Sequence, residues 1–247
     1  MRLHVTGATG YLGSELVRQR PDATTERVEI RDAAAVRALL ERVRPDVVIH
    51  TAYRQEGPDA HAIVVDGSEH VARTAAAIGA RLVHLSTDVV FDGRKGSPYR
   101  EDDELAPVTA YGRAKATAEE RVAAAHPGAL VVRTSLLYGG PEPSKHELAA
   151  HDPEASFYVN EIRSPVQVGD LAAALLELAE LEVTGPLHVA GADAVSRAEL
   201  ARLLAGRPVT TGPAPPGRPL DCTLDSSRAQ ALVRTRLRGV REVLAPS

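Results

Sequence analysis

The chain has 247 residues, 44% of them apolar and 25% charged, and a formal net charge of −4. That length fits one domain, or one domain with a small appended lobe, and holds enough apolar mass for a sizeable core. The acidic balance gives no electrostatic case for nucleic acid or an anionic membrane as partner, and no apolar run approaches the roughly 20 residues that span a bilayer.

With two Phe and no Trp, the core must be filled by Ala, Val and Leu. The single cysteine, Cys222, cannot form an intramolecular disulfide, which suits a reducing compartment. The first ten residues carry a glycine-rich turn where a signal peptide needs its apolar stretch, so the expected localisation is cytoplasmic.

Residues 3–6 form a short apolar run that stops at glycine, and residues 11–20 read as a helix. Residues 28–30 are expected to form a short second strand. Residues 33–43 carry Val36, Leu39, Leu40 and Val43 at helical spacing. DVVIHT at 46–51 reads as a buried strand, 61–78 as one helix, 81–86 as the next strand, 109–125 as a long helix and 129–134 as another strand. Strands of continuous apolar character alternating with helices predict a parallel sheet covered on both faces. The stretch 139–156 is polar and proline-bearing and is expected to be a loop or irregular lobe. A helix is predicted at 168–181, a short strand at 186–190, and a helix capped by Ser196 up to Ala205. The proline- and glycine-rich stretch 206–219 should be an extended connector without a helix, and 226–233 a final short helix. The expected fold class is therefore α/β: a Rossmann-type doubly wound parallel sheet over 1–138, with 139–247 mainly a small C-terminal substrate-binding lobe interleaved with it.

LHVTGATGYLGSELV places Gly7, Gly10 and Gly13 between the first strand and the first helix. A tight turn needs a residue without Cβ, the backbone must approach a pyrophosphate closely, and the helix must pack on the strand. The helix N-terminus then presents unpaired N–H groups to the phosphates. At the adenosine end, Glu29 and Ile30 are the expected contacts. Glu29 favours a free 2′-hydroxyl and Arg31 a 2′-phosphate, so NAD(H) and NADP(H) both stay open. TAYGRAKATAEERV sets Tyr111 and Lys115 four residues apart on one helix face. A phenol is a poor acid near neutrality, and a neighbouring ammonium lowers its pKa. Tyr111 is thereby the candidate proton donor and acceptor beside a nicotinamide, with Lys115 also able to bond the cofactor ribose. Thr87, at the end of the strand RLVHLS, is placed to hold the substrate oxygen. Arg163 could clamp a substrate phosphate or carboxylate, the competing reading being a surface arginine. The acidic run Glu101–Glu104 reads as a solvated loop. His146 and His151 lack metal-ligand spacing, so no metal is expected.

On these motifs, and on RPDVVIHTAY, HLSTDVVFDG, VVRTSLLYG, RSPVQVGDLA and RPLDCTLDSSRAQAL, the chain resembles the extended short-chain dehydrogenase/reductase superfamily, in its dTDP-4-dehydrorhamnose reductase-like branch. The resemblance covers nearly the whole length. It implies Thr87, Asp88, Tyr111 and Lys115 as catalytic residues. It implies cofactor contacts at Gly7, Gly10, Tyr11, Leu12 and Gly13, and at Thr51, Ala52 and Tyr53. The backbone of residues 135–138 would lie beside the nicotinamide, and Thr87, Asp88, Leu136 and Arg163 would face the substrate. Three positions depart from the branch: Leu136 stands for a tryptophan that packs on the sugar, His50 for an asparagine, and Val64 for another asparagine. The expected function is an NAD(P)-dependent oxidoreductase acting on a carbonyl or hydroxyl carbon of a sugar nucleotide. The expected partner is that small-molecule substrate, with neither nucleic acid nor membrane and with a homodimer left open. Two alternatives remain: an epimerase or dehydratase that keeps its nicotinamide, and a non-catalytic regulatory subunit like that of methionine adenosyltransferase.

Overall fold

The computed structural model describes residues 1–245. Four strands, β1 (Leu3–Thr6), β2 (Val47–His50), β3 (Arg81–Thr87) and β4 (Leu130–Thr134), run parallel in that order, and Gly185–His188 closes the sheet beside β4. Every residue of β1, β2 and β4 is buried, as a parallel sheet covered on both faces requires. Helices α1 (Tyr11–Gln19) and α7 (Val168–Ala179) pack together on one face. Helices α2 (Ala33–Val43), α4 (Asp66–Ala77) and α5 (Ala110–Ala125) cover the other. The fold is the predicted Rossmann-type α/β arrangement.

The sheet departs from expectation next to β1. Residues 28–30 form no strand. Thr24 alone bridges to His4, accepting from Val5 N at 2.9 Å and donating to Leu3 O at 2.9 Å. The chain then crosses to α2, which Asp32 caps through the amides of Ala34 and Ala35. Ile30 is drawn into the core instead, where it presses against Gly67 of α4. From β1 the chain thus leads one way to Thr24 and the other way to β2. This is the strand-order reversal at whose carboxyl ends ligands bind.

Three further elements differ from the sequence reading. The helix expected over 61–78 breaks at Val65 into α3 (Ala60–Val64) and α4. The stretch 139–156 contains α6 (Lys145–His151), started by a capping box in which Ser144 and Glu147 satisfy each other's backbone amides. The short helix α9 (Ser227–Leu232) is followed by α10 (Val240–Val243). Residues 206–219 are extended, and Thr210–Gly212 pairs with Ser156–Tyr158. Helix α8 (Arg197–Ala205) is capped by Ser196 as predicted and packs on α6. No helix among the described residues is long and apolar enough to cross a membrane.

Candidate active site

The glycine turn joins β1 to α1 at the reversal. Gly7 has φ +72°, and a Cβ there would lie 2.6 Å from Ala52 N, so the turn abuts the backbone that follows β2. A Cβ on Gly13 would lie 2.1 Å from Gly7 O, which is the close helix-to-turn contact. Gly10 is different. It is exposed, and its Cβ would meet only Gly7 O at 3.2 Å. The protein's own packing therefore requires glycine at 7 and 13, whereas at 10 it keeps the outer surface of the turn low. Helix α1 has no side-chain cap and no acidic residue in its first turn, so its positive end is open to an anion. This cradle fits a dinucleotide pyrophosphate.

Gly10 and Gly13 should respond differently to alanine. Gly10→Ala should change stability by less than about 1 kcal/mol and weaken dinucleotide binding roughly tenfold or more. Gly13→Ala should destabilise the fold by about 1–3 kcal/mol or more through overpacking. Thermal melts and titration of nicotinamide fluorescence separate the effects. Unchanged dinucleotide affinity in Gly10→Ala would remove the cradle from this turn.

The remaining expected cofactor residues are placed as follows. Leu12 is buried in the core. Thr51 donates to Thr6 O at 2.7 Å and braces the turn from the β2 side. Tyr11 is tied up by its own protein: its hydroxyl accepts from Gly140 N at 2.8 Å and donates to Glu147 at 3.3 Å. Burial pushes its pKa up to about 12. At the adenosine end, Glu29 is exposed and fully engaged by Arg31 at 2.9 Å. Ile30, 6% exposed, is a core residue, which corrects its reading as an adenosine contact.

Thr109 caps α5 by accepting from Gly112 N at 3.0 Å. A Cβ on Gly112 would come within 2.2 Å of Val89 O, so the first turn of α5 presses on the single 3₁₀ turn, Asp88–Val90, that follows β3. This contact sets the first turn of α5, which carries Tyr111, against the segment that holds Thr87 and Asp88. Thr87 Oγ1 donates to Asp88 at 3.2 Å, and Ser135 Oγ donates to the other carboxylate oxygen at 2.6 Å. Asp88 is 2% exposed, and burial raises its pKa against the pull of Arg163, Ser135 and Thr87. Ser135 was expected only to lend backbone to the nicotinamide side. Its hydroxyl as a partner of Asp88 left no mark in the sequence. The Tyr111 hydroxyl has no hydrogen-bond partner among the described residues. The ring of Tyr53 stands over the pair, 6.1 Å from the Tyr111 ring and 5.5 Å from Lys115 Nζ, centroid distances in both cases.

Lys115 is 4% exposed and donates to Leu85 O at 2.8 Å. Burial lowers its pKa to about 8, opposed by Glu119 one turn on. The expectation that Lys115 depresses the Tyr111 pKa fails in the free protein. Burial first, then Tyr53 and Asp88, push the phenol well above its usual range. Beneath Lys115 lies a polar layer. Glu119 takes Arg133 at 2.8 Å and the Ser86 hydroxyl, all buried. His50 bonds Thr6 at 2.6 Å and Ser68 at 3.2 Å and stacks on His84. Burial holds His50 neutral, with a pKa near 3. Val64 packs with Ala114 and Ala118 of α5 and brings no polar side chain to this layer, though its carbonyl accepts from Ser68 at 2.6 Å.

On the substrate side, Leu136 packs against a cluster of Tyr138, Val195, Leu200 and Val240. Arg163 corrects its prediction as a substrate clamp. It is 2% exposed, donates to Ile162 O, Pro219 O and Leu220 O, and lies 3.2 Å from Glu161 and 3.6 Å from Asp88. Among the described residues no group of His, Cys, Asp and Glu could hold a metal.

A family model described as the RmlD substrate binding domain matches residues 1–246. The chain is 36% identical over 275 residues to a dTDP-4-dehydrorhamnose reductase of Mycolicibacterium smegmatis, covering 98% of this chain and 84% of that protein. It is 31% identical over 293 residues to methionine adenosyltransferase 2 subunit beta of Pongo abelii, covering 99% and 87%. A crystal structure of dTDP-4-dehydrorhamnose reductase from Bacillus anthracis in complex with NADP superposes with a TM-score of 0.85 at 25% identity, over 98% of this chain and 96% of that one.

Proposed function

The chain belongs to the RmlD substrate binding domain family, and from that premise we propose that it is an NAD(P)-dependent oxidoreductase that reduces a ketone carbon of a sugar nucleotide. The relatives named dTDP-4-dehydrorhamnose reductase support the reaction class, and the NADP complex of the Bacillus anthracis protein supports the cofactor. One observation carries the reading: Tyr111 and the buried Lys115 lie on α5, whose first turn packs on the turn after Thr87, and the glycine turn nearby is open at Gly10.

Gly7, Gly10 and Gly13 with the start of α1 would hold the pyrophosphate, and Lys115 would hold the nicotinamide ribose. When bound, the reduced nicotinamide supplies a hydride to the carbonyl carbon. The chain's residues handle the oxygen. Thr87 turns from Asp88 and donates to the reacting oxygen, while Ser135 keeps Asp88 in place. Tyr111, held protonated by burial, donates the proton that completes the alcohol. The Lys115 ammonium stabilises the phenolate left behind.

The test is loss of reduced-nicotinamide absorbance when the protein meets NADPH or NADH and a keto sugar nucleotide. Net oxidation supports the reductase. Substrate turnover without net oxidation identifies an epimerase, and dinucleotide binding without turnover a regulatory subunit.

A further inference from the structure

The first turn of α6 touches both segments that flank the glycine cradle. On one side, Glu147 accepts from the hydroxyl of Tyr11, which follows Gly10 and opens α1, at 3.3 Å. The same hydroxyl accepts from Gly140 N at 2.8 Å. Glycine at 140 leaves room for the ring, since a Cβ there would lie 2.9 Å from the hydroxyl oxygen. Glu147 also accepts from Gly139 N at 3.3 Å and Ser144 N at 2.7 Å. One carboxylate thus gathers both ends of residues 139–144 and ties them to Tyr11. On the other side, Lys145 Nζ donates to Gln55 at 2.6 Å, in the segment that leaves β2.

The glycine turn leaves β1, the strand beside β2, and Gly7 abuts Ala52 of the segment that carries Gln55. Helix α6 therefore bridges two segments at the carboxyl ends of adjacent strands, where a ligand enters such a sheet. The far end of α6 is anchored differently. Ala150 is buried with Phe157, Ala198 and Ala201 where α6 packs on α8. The near end is fastened by polar contacts alone, and Gln55 and Lys145 are both exposed. Hydrogen bonds of this kind contribute modestly and open locally without unfolding the core.

We propose that residues 139–151 form a strap across the dinucleotide crevice, latched by Tyr11 on one wall and by the Lys145–Gln55 pair on the other, and that these positioning residues set how fast the cofactor exchanges. This role rests on the glycine turn as the dinucleotide cradle, not on which sugar is reduced. It gives the Tyr11 side chain a task other than direct contact with the cofactor. The strap is latched in the free protein, so entry requires it to lift and release requires the same. Unlatching raises both rate constants and moves the equilibrium affinity less than either.

Stopped-flow mixing of the full chain with NADPH and with NADH in turn, read by nicotinamide fluorescence, measures association. Displacement by excess oxidised dinucleotide measures release. Tyr11→Phe and Lys145→Ala should each raise both rate constants roughly threefold to tenfold, the effect of one or two lost hydrogen bonds. Phenylalanine keeps the ring of Tyr11 and Lys145 is exposed, so both variants should fold. Lys145→Ala leaves the glycine turn untouched, so a matched response from opposite walls is what a strap requires. Unchanged rates in either variant would overturn the proposal. So would faster release with unchanged or slower association, which marks a direct contact with the dinucleotide. Failure of the native protein to bind either dinucleotide would remove cradle and strap together. If both rates rise as expected but no keto sugar nucleotide is reduced, the reductase reading falls and the strap stands.

Discussion

Replacement of Tyr111 by phenylalanine should lower kcat by about 10²–10⁴-fold and leave dinucleotide affinity nearly unchanged. That range is the usual contribution of a positioned proton donor, and the substitution removes the hydroxyl alone. In the free protein this hydroxyl has no protein partner among the described residues, so its loss strands no other group. Stability should therefore hold, and because the phenol is mostly enclosed, it should rise if it changes at all. Burial raises the pKa of Tyr111, so the phenol meets the substrate as a proton donor. The phenol is protonated across the neutral range and ready to give its proton to a forming alkoxide. Steady-state kinetics, nicotinamide titration and a thermal melt on one variant check all three statements. A variant that turns over at the native rate would end the assignment of Tyr111, whatever the fold.

Lys115→Met should lose activity and dinucleotide affinity together, because it removes both the ribose contact and the charge that stabilises the Tyr111 phenolate. Its second effect is on stability without cofactor. The pKa of Lys115 falls from 10.5 to about 8 on folding, so the native state binds fewer protons than the unfolded chain between those values. Native stability then rises with pH across that window, and below pH 8 the full penalty of a buried ammonium is present. Methionine has no such penalty at any pH. The stability of Lys115→Met minus that of the native protein should fall by about 3 kcal/mol between pH 7.5 and 10.5. Paired denaturant titrations across that range measure the difference, in which groups common to both proteins cancel. A flat difference would mean that Lys115 is solvated rather than held dry against Leu85 O.

The sequence carries some of this site openly and hides the rest. Gly7 and Gly13 are legible because a backbone contact of 2–3 Å admits no other residue. Tyr111 and Lys115 are legible because helical spacing fixes which side chains share a face. The shape of the sheet beyond β1 is not. A single residue, Thr24, takes the place of the expected strand at 28–30, and Ile30 is buried against Gly67 instead. The break at Val65 is hidden by continuous apolar periodicity across it. Arg163 is the clearest loss. Its charge points to solvent or a ligand, but the neighbouring Ile162 carbonyl and Glu161 carboxylate, together with the distant Pro219 and Leu220 carbonyls and Asp88, satisfy it inside the protein. Local pattern does not reveal such partners. Helix α6 is masked by the proline and polar residues around it, which read as loop, although its capping box, Ser144 to Glu147, stands in the sequence.

Hydride transfer to a sugar is the central claim, and isotope transfer tests it most directly. Native protein is incubated with NADPH deuterated at the transferable position of the nicotinamide and with a 4-keto sugar nucleotide, and the product is read by mass spectrometry and NMR. The account predicts one deuterium on the new carbinol carbon for each NADPH oxidised, with the rate of incorporation falling in Tyr111→Phe by the same factor as kcat. Recovery of undeuterated sugar with the NADPH intact, from protein that binds the dinucleotide, would contradict it.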